Sequence, residues 1–240
     1  MGKPTSGGAG GSGGRQRAIP PPLVVAPPAP SVNDRNITIS EDGGLQDVQR
    51  MLKRRRKLSA NEIGDMVGAP DGSNISIYPV AEKIYFFVRH PNVHMMDNIL
   101  MREDGKLVLY NDSIMLNSNA PKGMGTQIIT RQVEAARQLG ISKIELEAAG
   151  SPGGNMNGYY TWPRLGFDAT VRVNVLSRIP AKIKNTMRDN TMLELYRTQA
   201  GRDWWRTKGE SIKMAFDTSP NSKSSQALAA YNEERRKRSG

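Results

Sequence analysis

Two glycines and one tyrosine-rich string are the parts of this chain best suited to chemistry. The glycines lie in NAPKGMGTQIITRQVEAARQLG (119–140), where Gly123 and Gly125 open a segment of helical period. Glycines let a phosphate approach the backbone, and the free N–H groups and dipole of a helix start favour negative charge. A Gly-x-Gly also eases a tight turn, so the pair alone leaves both uses open. The string is MNGYYTWPRLGFDA (156–169), which gathers Tyr159, Tyr160, Trp162 and Phe167 around Pro163 and Gly166 in a protein only 6% aromatic. Such a cluster is either core with satisfied polar tips or the wall of a site. His90 and His94 stand four apart in extended chain with no third ligand nearby, and read as strand-end histidines. Cysteine is absent, which removes disulfides, thiolate nucleophiles and thiolate metal sites and suits a reducing cytoplasm.

Specific elements must hold these residues. The helix after Gly125 has Ile128, Ile129, Val133, Ala136 and Leu139 on its buried side and Gly140 as its stop. The next segment alternates as a strand, with Ile144, Leu146 and Ala148 on one face and Glu145 and Glu147 on the other. Upstream, between 73 and 117, NISIYPV, KIYFFVR, VHMMDNILM and KLVLYNDSIML predict four strands, with a hairpin at Asp104-Gly105. Downstream, TVRVNVL (170–176) alternates and predicts a strand. A helical stretch with Trp204 and Trp205 follows over about 186–208, then a last strand through Ile212, Met214 and Phe216.

The ends differ in composition. Residues 1–36 are rich in Gly, Ser, Pro and Ala, too poor in large apolar groups to offset chain entropy, and PPPLVVAPPAP (20–30) is biased to polyproline II. They predict a flexible arm reaching to about residue 40. Residues 41–69 form a short helical region: Leu45, Val48 and Leu52 have helical spacing. Ser59 and Glu62 then make a capping box before Ile63, Met66 and Val67, with Gly68 as a stop. Two such helices are either a helix-turn-helix or a packing pair. The span 70–217 is the main domain, and 218–240 is a Ser-rich tail, helical from about Ser225 and ending in RRKR. Neither end supplies a long apolar face, so both are expected to be dispensable for folding.

Net charge is +11, with one cluster at Arg50 and Lys53–Lys57 and another at Arg235–Arg238. These basic ends are either solvated or contacts for nucleic acid or an acidic protein. No stretch approaches the roughly 20 apolar residues that span a bilayer, and LVVA at 23–26 is too short for a secretory leader.

The order strand, Gly-loop, helix, strand, aromatic–Gly-Phe resembles the GNAT superfamily of acyl-CoA-dependent N-acetyltransferases. Its loop signature, Arg/Gln-x-x-Gly-x-Gly/Ala, is matched at Gly123 and Gly125, while Ala120 stands at the Arg/Gln position. Its second signature, an aromatic followed by Gly-Phe, is matched by Tyr159-Tyr160 through Gly166-Phe167. The string NGYYTWPRLGFDA also resembles a poorly characterised GNAT-like group of bacterial and phage-related proteins. The resemblance covers roughly residues 73–216.

It implies an α/β (α+β) fold: a mixed, mostly antiparallel central sheet flanked by helices, here with disordered ends. It also implies acetyl-CoA or CoA as cofactor, with the pyrophosphate on Lys122, Gly123, Met124, Gly125 and Thr126, and no metal. Attack of an amine on a thioester needs a deprotonated amine, a polarised carbonyl and a protonated leaving group. The resemblance assigns the proton donor to Tyr160 or Tyr159 and the carbonyl contact to the backbone N–H of Leu116. Glu147 or Asp112 is the candidate base, directly or through water. Asn155, Asn157 and Trp162 are candidate contacts for the amine, a small molecule or a protein. Pro163 is expected to shorten the family's usual helix here to a turn. The alternative is a non-catalytic GNAT-fold structural or interaction protein of a virus or mobile element, whose basic ends meet nucleic acid or a virion protein. The first places the protein in the cytoplasm, the second in a virion.

Overall fold

The computed structural model describes residues 35–40 and 44–239. Most of the expected arm, with its polyproline segment at 20–30, lies outside the described residues. The chain runs through β1 (Thr38–Ile39), α1 (Leu45–Met51) and α2 (Ala60–Val67), then four strands, β2 (Asn74–Val80), β3 (Lys83–Arg89), β4 (Val93–Glu103) and β5 (Lys106–Leu116). After them come α3 (Met124–Leu139), β6 (Ile141–Ala148), α4 (Gly158–Arg164) and two one-turn helices, α5 (Val173–Leu176) and α6 (Ala181–Lys184). The chain closes with α7 (Met192–Tyr196), α8 (Gln199–Lys208), β7 (Ile212–Asp217) and α9 (Lys223–Ser239).

The strands form one seven-stranded sheet in sequence order. The β1–β2 and β5–β6 pairs are parallel and the rest antiparallel. This is a mixed α/β fold with a mostly antiparallel sheet flanked by helices. At Asp104-Gly105 both φ values are positive, 49° and 75°, which suits the twist of a tight β4–β5 hairpin. One register row, Ile84, Leu100, Leu109, Ile144 and Phe216, crosses five strands, and no member is more than 2% exposed. Each such side chain contributes about 1.5–3 kcal/mol by leaving water.

Helices bury that face. The Ser59–Glu62 capping box forms as expected, and Gly68 ends α2 in the left-handed region. Ile63, Met66 and Val67 are wholly buried in the common core, so α2 packs as a structural helix and its apolar side is not offered to DNA. A buried amide chain ties α3 to the sheet. Asn98 Nδ2 donates to Asn111 Oδ1 (2.7 Å), Asn111 Nδ2 to Gln132 Oε1 (2.9 Å), and Gln132 Nε2 to the Val67 carbonyl (2.9 Å).

Four expectations need correction. TVRVNVL is not a strand: Val173–Leu176 is a helical turn, and Thr170 makes only an isolated bridge to Thr191. Val171 and Val175 are 1% exposed and Val173 is 82% exposed, a pattern that alternation and a helical turn satisfy equally. The helical stretch at 186–208 is two helices, each opened by a threonine cap, Thr191 and Thr198. The arm does not run to residue 40. Arg35 pairs with Asp71 at 2.6 Å and with Asp65, and Thr38 and Ile39 align with Asn74 and Ile75. Nor is the tail a disordered appendage. Leu228 is buried, Thr218 Oγ1 donates to the Ile141 carbonyl (2.6 Å), and Arg137 donates to the Thr218 carbonyl and to Ser225 Oγ.

Candidate functional site

The start of α3 carries free main-chain donors. Met124 N–H is used by the Pro121 carbonyl, and Gln127 N–H closes the first helical ring onto the Gly123 carbonyl. The N–H groups of Gly125 and Thr126 between them are helix-start donors without an intrahelical acceptor. The two glycines have different reasons to be there. Gly123 has φ +91°, and a side chain on it would strike the Arg235 guanidinium. At Gly125 φ is ordinary for a helix, and a Cβ would meet only Leu116 Cδ1, at a comfortable 3.7 Å. A helical glycine costs about 1 kcal/mol against alanine, and no neighbour in the fold requires this one. Open space over the Gly125 backbone is what an approaching phosphate needs. Lys122 is exposed beside it, and Met124 and Thr126 are half-buried.

Leu116 brings the end of β5 to the same place. The parallel pairing of β5 with β6 ends at Asn111–Leu146. Beyond that, β5 pairs only with β4, and β6 only with β7. The two strands therefore separate beside the α3 start. A bulge makes Asp112 the extra residue of β5, between the Asn98–Asn111 and Asp97–Ser113 pairs, and a second bulge makes His94 extra on β4. Asp112 and Glu147 are exposed on the sheet face opposite α3. Burial, then Asp112 and Glu147, push the Tyr110 phenol above its ordinary value; burial and Asp112 push the Asp97 carboxyl up. The two candidate bases thus share one acidic cluster with Asp97 around Tyr110. His90 Nδ1 accepts the Asn92 N–H at 3.0 Å, a turn contact. No group of three or more metal-ligating side chains occurs among the described residues.

The tyrosine string divides by role. Tyr159 is 5% exposed, and its hydroxyl donates to the Arg206 carbonyl at 2.8 Å, so it is an anchor. Tyr160 is half-buried, and its hydroxyl has no hydrogen-bond partner among the described residues. Arg164 and Arg206 lie over its ring at 5.7 and 5.8 Å, and its carbonyl accepts the Tyr196 hydroxyl at 3.0 Å. Burial first, then the neighbouring phenol of Tyr160, push Tyr196 far above the usual phenol value. Trp162 packs edge-on against Phe167, ring centroids 5.3 Å apart, and belongs to the core margin. Asn155 and Asn157 sit in the exposed loop after β6. Asn157 bridges Gly150 and leads into α4 without a side-chain cap bond. Pro163 does not reduce α4 to a turn: the helix keeps seven residues, with the proline in its last turn.

Sequence reasoning missed the element that joins the two motifs. Arg164 stacks on Tyr160 and also lies 5.2 Å from the Tyr231 ring on α9. One turn further along α9, Arg235 reaches Gly123, and Asn232 donates to Thr130 Oγ1 on α3 at 3.2 Å. Tyr160, Arg164, Tyr231, Arg235 and Gly123 therefore form one rim. The spacing of Tyr231 and Arg235, four residues apart, was its visible signal. No hydrogen bond or ion pair links Tyr160 to Asp112 or Glu147 among the described residues.

No family model matches this chain, and no curated protein matches it either.

Proposed function

We propose that this is a GNAT-like fold that transfers an acyl group, most simply acetyl, from acyl-CoA to an amine. The observation that carries the reading is the parting of β5 and β6 beside a helix start, where Gly125 has no structural need to be glycine. The bound thioester would supply the activated acyl group. The N–H groups of Gly125 and Thr126, with Lys122 and Arg235, would hold the pyrophosphate, and Arg235 would replace the cation missing at Ala120. Leu116 adjoins this loop and would position the acyl carbonyl. Tyr160, whose hydroxyl makes no hydrogen bond among the described residues, would protonate the leaving thiolate. Asp112, projected by the bulge, would take the amine proton through water, with Glu147 beside it.

The second reading, a non-catalytic module that meets nucleic acid or a virion protein through its basic ends, draws on two observations. Arg235 already lies against Gly123, and Tyr159 is spent on structure. Transfer of labelled acetyl from acetyl-CoA to a panel of small amines and lysine peptides separates the two. Tyr160-dependent turnover supports the enzyme. Cofactor binding without transfer to any amine supports the module.

A further inference from the structure

The sheet has a second face that no described helix covers. The register row Tyr78, Tyr85, Ile99, Tyr110 lies on it, next to the row Ser76, Phe87, Asp97, Ser113. Of the seven exposed large hydrophobics among the described residues, five are here: Tyr78, Val80, Phe87, Met95 and Met115. Apolar patches of this kind, rich in Tyr, Phe and Met, mark protein interfaces.

Charge on this face indicates the partner. On the neighbouring strands Lys143 pairs with Glu103 and Glu145, and Lys213 with Glu145. By contrast Lys83 and Arg89, the two ends of β3, and Asp97 on β4 make no ion pair among the described residues. Asp97 is moreover held partly desolvated beside Asp112. Opposite charges left unpaired on adjacent strands of one apolar patch are self-complementary. A two-fold axis along the strands lays β3 of one copy on β4 of the other and brings Arg89, two residues beyond the Phe87–Asp97 row, toward the carboxylate of Asp97 in the other copy. Single-stranded nucleic acid fits less well, because Asp97 lies directly across from Phe87 and would repel phosphate.

We infer that the uncovered face of β2–β4, centred on Phe87, is the interface of a homodimer, with Arg89 of each copy set against Asp97 of the other. Sedimentation equilibrium of the full chain between roughly 1 and 100 μM tests it. The wild type is expected to dimerise. Arg89→Asp and Asp97→Arg should each weaken the dimer at least about tenfold, and combining them should restore it. Phe87→Asp, at an exposed position, should give a monomer with unchanged circular dichroism and melting. A wild-type monomer at the highest concentration would overturn the proposal, as would a dimer indifferent to Phe87→Asp. So would a double charge swap no tighter than the single variants. A monomer that binds an oligonucleotide or a different protein through Phe87 would overturn it in favour of that partner.

Discussion

The indole N–H of Trp205 donates to the main-chain carbonyl of Tyr159 at 2.9 Å. That carbonyl is the one Pro163 deprives of its intrahelical donor, since residue 163 has no N–H to return. A side chain from α8 thus completes the hydrogen bonding of α4 and fixes the turn that carries Tyr160. Trp205→Phe should cost about 2–4 kcal/mol, through a lost donor to a buried carbonyl and a smaller ring. In a Pro163→Ala background, where the helix can supply its own N–H, the same change should cost about 1 kcal/mol less. Urea unfolding of the four proteins measures that coupling, and strict additivity would disprove the relationship.

Tyr160 and Tyr159 should separate in function and stability. Tyr160→Phe should leave the melting temperature nearly unchanged but reduce acyl transfer about 10²-fold or more. Tyr159→Phe should retain the chemistry and cost about 1–2 kcal/mol, the worth of its bond to the Arg206 carbonyl. Steady-state rates beside thermal melts decide it. Equal turnover by Tyr160→Phe and the wild type would exclude that phenol as the acid.

Sequence alone located strands β2 to β7, the capped helix α2 and the α3 start, because each rests on local chemistry: alternation, a capping box, glycines at helix ends; it left the short β1 inside the expected arm. It failed where partners decided. Val171, Val173 and Val175 suit a strand or a turn, and only the absence of a partner strand settles it. The Lys223–Ser239 helix has almost no apolar face to announce docking; Leu228 and the serines at its start do that work from few positions. Asp112 stood out as a carboxylate, but the bulge that projects it depends on pairing with β4.

Truncation tests that correction. Removing residues 218–240 uncovers Phe216 and Leu228's partners and strips the Thr218 and Ser225 bonds, so melting should fall sharply or lose cooperativity. Truncation after Tyr231 keeps the buried first turns and should retain a cooperative transition. Full stability of the shorter form would mean that α9 does not pack as described.

Acid should weaken the α2 cap. The Arg56 hydrogen bond, aided by Ser59, pulls the Glu62 carboxyl down from 4.5 to about 2. A carboxyl depressed on folding stabilises above its unfolded value, and that contribution is lost as pH falls from about 4.5 through 2. Because the pair is largely exposed, the effect should be only about 1 kcal/mol. Glu62→Gln should lower melting at neutral pH and flatten its decline over that interval. Parallel curves for the two proteins would refute the linkage.

Titration of acetyl-CoA into the full chain by calorimetry, beside Gly125→Ala, tests the central proposal most directly. Alanine at 125 meets only Leu116 Cδ1 at 3.7 Å, so the variant should fold as well as the wild type or melt slightly higher. The account predicts saturable binding by the wild type and at least about tenfold weaker binding by the variant, because the methyl group occupies the pyrophosphate's approach. Absence of binding by the wild type at millimolar cofactor, or equal affinity in the two proteins, would contradict it.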